Sequence, residues 1–228
     1  MGYTLARWII GLVFRVVWRP RVIGVENVPR TGAVIIASNH LSFIDSVVIP
    51  LAVPRRVRFL AKAEYFEGRG LRGRAVAVFF HLIDAVPVRR TGNRDSMRSL
   101  ESALQVLREG TAFGIYPEGT RSRDGRLYRG RTGVGWLALT SGAPVVPVAL
   151  TGTDQVQPVG SNGVHVRPVT VRFGTPIHPS AYAGPPAGRA RRDVTDEVMN
   201  RIAELSPQER ADVYNEPPAG DEVDANTV

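Results

Sequence analysis

The sequence predicts an α/β fold: a layered domain with a mixed sheet flanked by helices, preceded by an N-terminal amphipathic membrane-associated helix. Three observations predict it. Apolar runs of strand length alternate with helix-periodic stretches from residue 33 to about residue 205. With 228 residues and 43% hydrophobic content, the chain can bury one sizeable core. Several apolar runs end in polar or charged clusters, and ligands of open α/β sheets collect at the carboxyl ends of strands.

The N-terminal stretch Trp8 to Trp18 is apolar but interrupted by Arg15. It is shorter than the roughly 20 residues that cross a bilayer. It is a poor signal peptide, because Arg15 breaks the apolar region and no small-residue cleavage site follows. Arg7, Gly11, Arg15 and Arg19 recur at i, i+4 steps and form one stripe; Trp8, Ile9, Leu12, Val13, Val16 and Val17 cover much of the remainder. That pattern suits a helix lying in the plane of an anionic membrane. The competing reading is a helix packed on the domain with its arginines outward.

"AVIIA" (33–37) reads as a buried strand, followed by a helix from about Phe43 that is disturbed at Pro50. "RVRFLAKA" is a second strand, Leu71 to Leu82 a mainly helical connection, and "DAVPV" (84–88) a short strand. "RDSMRSLESALQVLREG" is an amphipathic helix with Met97, Leu100, Leu104 and Leu107 on one face and Gly110 as its C-cap. "TAFGIYP" is a strand, Gly133 to Thr140 a helix, "APVVPVAL" a strand, and "VHVRPVTVRFG" alternates like a half-exposed strand. Arg189 to Leu205 is a last helix, and the acidic, proline-bearing end is disordered. The division is therefore a membrane-surface helix (1–20), an αβ domain (21–205) and a polar tail (206–228).

Composition narrows the chemistry. There are no cysteines, which excludes disulfides, thiolate metal sites and cysteine nucleophiles. Four dispersed histidines without paired ligand spacing argue against a metal. The formal charge of +8 favours anionic partners. Lys62 is the only lysine among 29 basic residues, so it stands out against a background of arginine.

In "NHLSFID" (39–45), Ser42 and Asp45 before "SVVIPL" fit a capping box, with Ser42 as N-cap. The same turn brings Asp45 toward His40, where a carboxylate would orient an imidazole acting as a general base. "YPEGTRS" (116–122) places Gly119, Thr120 and the forked donor Arg121 in one loop suited to phosphate; Glu118 orients Arg121 or meets a substrate hydroxyl. "VPVRRTG" adds Arg89 and Arg90 after another short strand. Three strand ends carrying His/Asp, Arg-Arg and Glu-Gly-Thr-Arg converge on an active site. His81, His165 and His178 read as structural or surface residues.

"NHLSFID", "VPVRR", "YPEGTRS" and "VVPVALTG" together resemble the four ordered motifs of the glycerolipid acyltransferases, particularly the bacterial 1-acylglycerol-3-phosphate acyltransferases. The resemblance runs from about Val22 to Ile177. It implies that His40 and Asp45 are the catalytic pair and that Asn39 and Ser42 support them. It further implies that Arg90, Glu118, Gly119, Thr120 and Arg121 bind the substrate, with Pro147 near the acyl site. "FLAKAEYF" is similar to a family segment that supplies a lysine toward the phosphate, which gives Lys62 a role. Arg131 stands where the family often has lysine, and Arg89 stands where an acidic residue is frequent, leaving the acceptor open.

The implied reaction moves a fatty acyl group from acyl-CoA or acyl-carrier protein, as co-substrate, to the free hydroxyl of a lysophospholipid. The leading acceptor is 1-acylglycerol 3-phosphate, giving phosphatidic acid; glycerol 3-phosphate or another lysophospholipid is the alternative. No cofactor is implied, and the implied location is the cytoplasmic face of the cell membrane, peripheral or monotopic. Two other classes compete. A basic nucleic-acid-binding protein is disfavoured by scattered charge and only 7% aromatics, and a non-catalytic membrane-binding protein by the intact His/Asp and Glu-Gly-Thr-Arg sets.

Overall fold

The computed structural model describes residues 11–12, 14–68, 70–82, 84–88, 93–161, 163–182, 184 and 186–216. Seven strands form one sheet: β1 (Arg21–Ile23), β2 (Val34–Ser38), β3 (Val57–Lys62), β4 (Val86–Val88), β5 (Ala112–Ile115), β7 (Val145–Thr151) and β8 (Thr170–Phe173), in the order β1-β8-β7-β2-β5-β3-β4. All neighbours run parallel except β7 and β8, so the sheet is mixed, as the alternating pattern predicts. A small second sheet pairs β6 (Leu127–Tyr128) with β9 (Arg210–Ala211).

The strands are apolar because both faces are covered. Along β2, Ile35 and Ala37 enter one core, while Val34 and Ile36 enter the other. The first core is closed by α4 (Asn93–Arg108), α5 (Gly133–Ser141) and α7 (Ala187–Leu205). The second is closed by α2 (Asp45–Ala52), the short α6 (Thr153–Val156) and an N-terminal helix, α1, present at 11–12 and 14–17. α3 (Gly70–Leu82) connects β3 to β4. Burying each of Val34, Ile35 and Ile36 in this way is worth about 1.5–3 kcal/mol.

This topology makes a crevice. β2 and β5 are parallel neighbours, with Ala37 opposite Ile115. The chain leaving β2 passes to α2 on one face, and the chain leaving β5 passes to α5 on the other. Loops that part in this way leave space between the strand ends.

The structure corrects several expectations. The helix read from Phe43 begins at Asp45. Only Thr170–Phe173 of "VHVRPVTVRFG" is a strand; residues 163–168 are exposed loop, because the alternating valines there meet no neighbouring strand. Met97 lies at the exposed edge of α4, whereas Leu104 and Leu107 are buried. Gly110 takes the left-handed φ of +71° expected of a helix-ending glycine. On α1, Gly11 faces the domain, since a Cβ there would lie 3.7 Å from the Leu51 side chain, so it does not join an outward arginine stripe. Residues 206–216, assigned to the tail, are folded onto the domain: β9 pairs with β6, and Ala211 and Asn215 are buried. Residues 1–10 and 217–228 lie outside the described residues.

Candidate active site

β2 ends at Ser38, and the next residue continues its ladder with a side chain. Asn39 Nδ2 donates to the Leu150 carbonyl (2.9 Å), and the Leu150 N–H donates to Asn39 Oδ1 (2.8 Å). A planar amide thus stands in for a peptide group beside β7, which fixes where His40 leaves the sheet.

His40 is then held at three points. Its N–H donates to Glu118 Oε1 (3.0 Å), its carbonyl accepts from the Ser122 N–H (2.8 Å), and its Nδ1 lies 2.9 Å from Asp45 Oδ2. Asp45 is fully buried, and the same Oδ2 accepts from the N–H groups of Leu41 (2.7 Å) and Ser42 (2.8 Å). A carboxylate only accepts, so in the neutral imidazole the proton sits on Nδ1 and the Nε2 lone pair is free. Among the described residues Nε2 has no partner, and the side chain is 16% exposed. An imidazole held in this way has its second nitrogen free to accept a hydrogen bond or a proton.

The imidazole also rests on a platform. It stacks on the Tyr116 ring at 3.8 Å between centroids and 7° between planes, and Tyr116 stacks on Phe59 at 5.4 Å. The Tyr116 hydroxyl bonds to Ser46 Oγ (2.8 Å), and burial followed by the charge of Asp45 raises its pKa well above the ordinary phenol value. Gly114 makes the stack possible: a Cβ there would lie 2.1 Å from the Phe59 ring. None of these three residues was singled out from sequence, although Tyr116 opens "YPEGTRS".

The capping box is half made. Asp45 reaches back to the Ser42 N–H, but the Ser42 hydroxyl donates to the Gln157 carbonyl (2.7 Å) and ties the first motif to the segment after α6. Glu118 departs further from expectation. Its carboxyl is fully buried, and Oε2 accepts from the Tyr128 N–H (2.9 Å) while Oε1 holds His40. It neither pairs with Arg121 nor opens to solvent; it joins the histidine backbone to β6. Burial raises its pKa to about 7, against the lowering effect of the two backbone bonds.

In the arginine-bearing loop, Gly119 has φ +84°, and a Cβ there would come within 3.0 Å of Arg131 Nε. Glycine therefore serves both the turn and the close passage of Arg131 across it. Thr120 is half-buried and Arg121 exposed. Among the described residues neither Arg121 nor Arg131 is ion-paired, leaving both guanidiniums available to an anion. Pro147 is buried within β7 opposite Ala37, its carbonyl accepting from the Gly174 N–H (2.8 Å). Lys62 ends β3 opposite Val88; its side chain, with Arg89 and Arg90, lies outside the described residues. Among the described residues no group of His, Asp and Glu is placed to hold a metal ion, and no helix is long and apolar enough to cross a membrane.

Fold and site together define an α/β protein with a histidine–carboxylate pair at the end of a central strand and a loop bearing Arg121 and Arg131 beside it. The family model named Acyltransferase matches residues 19–151, and the chain belongs to that family. It is 30% identical over 183 residues to a chloroplastic 1-acyl-sn-glycerol-3-phosphate acyltransferase, BAT2, of Brassica napus, covering 79% of this chain and 49% of that protein. It is 28% identical over 187 residues to a 1-acyl-sn-glycerol-3-phosphate acyltransferase of Bacillus subtilis, covering 81% and 87%. The chain thus spans about half the length of the Brassica napus relative. The crystal structure of the 1-acyl-sn-glycerophosphate acyltransferase PlsC from Thermotoga maritima shares the fold, with a TM-score of 0.63, 24% identity, and coverage of 90% and 84%.

Proposed function

We propose that this protein transfers a fatty acyl group from a thioester, acyl-CoA or acyl-carrier protein, to the free hydroxyl of 1-acylglycerol 3-phosphate, giving phosphatidic acid. His40 Nε2 removes the hydroxyl proton as the oxygen attacks the thioester carbonyl. The C–S bond breaks, and the proton returns from His40 to the departing thiolate. Asp45 holds the Nδ1–H tautomer and offsets the charge on the imidazolium between those events. Arg121 and Arg131 receive the acceptor phosphate as forked donors. The observation that carries this reading is the Nδ1–Asp45 contact of 2.9 Å with Nε2 free, in a chain of this family. The names of its relatives support the acceptor.

The test is thiol release from an acyl-CoA by purified protein, offered 1-acylglycerol 3-phosphate, glycerol 3-phosphate and lysophosphatidylinositol in turn. The first is expected to give the highest kcat/KM. No thiol release with any of the three would contradict the proposal.

The protein works at the cytoplasmic membrane surface in this reading, attached through α1. Phe14 packs into the core, and Trp18 Nε1 donates to the His165 carbonyl (3.0 Å), so these two define the inner face. Leu12 and Val16 lie opposite, 50% and 61% exposed. An outward apolar face flanked by the exposed Arg15 and Arg19 suits anionic lipid. The Leu12→Glu, Val16→Glu double variant is expected to lose binding to anionic vesicles in a flotation assay while keeping its Tm. Undiminished flotation would reject the attachment.

A further inference from the structure

The segment after α7 returns across the arginine-bearing loop and touches it repeatedly. Gln208 Oε1 accepts from Asn39 Nδ2 (2.6 Å), and Gln208 Nε2 donates to the Gly125 carbonyl (2.7 Å). The N–H groups of Leu127 and Arg129 donate to the carbonyls of Glu209 (2.8 Å) and Val213 (3.0 Å). Two adjacent residues then grip the loop's arginines. Asn215 Nδ2 donates to the Arg121 carbonyl (3.0 Å), and the Asn215 carbonyl accepts from Arg131 Nη2 (3.2 Å). The ring of Tyr214 lies 5.6 Å from the Arg131 guanidinium carbon and 5.2 Å from that of Arg129. Arg192 Nη1 also donates to the Tyr214 hydroxyl (3.1 Å).

Burial does not account for this tyrosine, which is 41% exposed. Its contacts are guanidiniums, and among the described residues neither Arg129 nor Arg131 has an ion-pair partner. Two unneutralised cations two residues apart repel each other. An aromatic ring attracts both and occupies none of their N–H donors. Arg131 passes so close over Gly119 that a Cβ there would lie 3.0 Å from its Nε, and the ring and the Asn215 carbonyl further define where that guanidinium can sit.

We propose that Tyr214 is a positioning residue of the acceptor site, holding Arg131 across Gly119 so that its donors meet the acceptor phosphate. The C-terminal segment is then a working part of the site, not a tail. The proposal rests on the assignment of Arg131 to that phosphate. Steady-state kinetics of the full chain, with 1-acylglycerol 3-phosphate and a long-chain acyl-CoA, separate the two ideas. Tyr214→Ala is expected to raise the acceptor KM about two- to fivefold, with kcat, the acyl-CoA KM and Tm unchanged. Tyr214→Phe, which keeps the ring, is expected to restore the wild-type value, and Arg131→Ala to raise the acceptor KM at least as far as Tyr214→Ala. If Arg131→Ala raises it and Tyr214→Ala does not, positioning is overturned while the acceptor assignment stands. If Arg131→Ala leaves it unchanged, both are overturned. A joint loss of Tm, kcat and both KM values in Tyr214→Ala would mark a purely structural strap and also overturn the proposal.

Discussion

The two halves of the site are built differently. On the histidine side the side chains are short and mostly buried, each held by several hydrogen bonds: Asn39 to β7, Asp45 to two N–H groups, and the His40 backbone to Glu118 and Ser122. On the arginine side the side chains are long and exposed, and Arg131 is held by the Asn215 carbonyl and the Tyr214 ring. Proton transfer requires a base within hydrogen-bond reach of one particular atom, so it needs a rigid mount. Anion binding works through charge and several donors, so it tolerates a longer and looser one.

Breaking the rigid half is expected to cost the most. His40→Ala removes the proposed base and should lower kcat by about 10²–10⁴, measured as thiol release. Retained turnover would show that another group takes the proton.

Gly114→Ala attacks the same half from beneath. Its Cβ would lie 2.1 Å from the Phe59 ring, so Phe59 and the stacked Tyr116 must move from under His40. A loss of about 3 kcal/mol in chemical denaturation is expected, with a lower kcat. An unchanged Tm and kcat would show that the platform is dispensable.

Glu118 joins the two halves, and its effect depends on pH. Its pKa of about 7 in the folded protein stands above the ordinary 4.5. A carboxyl raised in this way contributes stability that is full below about pH 4.5 and is lost as pH rises through about 7. Glu118→Gln removes that titration. Relative to the variant, the wild type should therefore lose about 3 kcal/mol between pH 4.5 and 7.5, read from denaturation midpoints. A difference independent of pH would contradict the assignment.

The same contrast explains what was legible in the sequence. The histidine half occupies seven consecutive residues at the end of an apolar run, so its strand, turn and His/Asp pair could all be read locally. "YPEGTRS" was legible as a loop for the same reason. The place of Glu118 was not legible, because nothing local signals two backbone partners at His40 and Tyr128 in place of Arg121 or a substrate hydroxyl. Likewise the Ser42 hydroxyl was assigned to its own helix, when its partner lies 115 residues on.

The sheet's long strands were read correctly from apolar runs. β1, β6 and β9 were missed because two or three residues carry no period, and their pairing is decided only by tertiary contact. Val164 and Val166 show the opposite error, an alternation with no strand beside it to pair with. Tyr214, Asn215 and Gln208 sit in a polar, proline-containing stretch that composition assigns to disorder. What orders it is a set of distant partners: the Asn39 amide, the Arg121 carbonyl and the arginines around Tyr214.

The central claim is that Asp45 makes His40 a base by fixing the Nδ1–H tautomer. Asp45→Asn keeps the side chain's shape but removes its charge and puts an NH2 donor in place of one acceptor oxygen, and its Tm establishes that the fold persists. Single-turnover acyl transfer from acyl-CoA to 1-acylglycerol 3-phosphate measures the claim most directly. A rate constant lowered about 10²–10⁴-fold at saturating substrates is the predicted result; a rate within about twofold of wild type would contradict it.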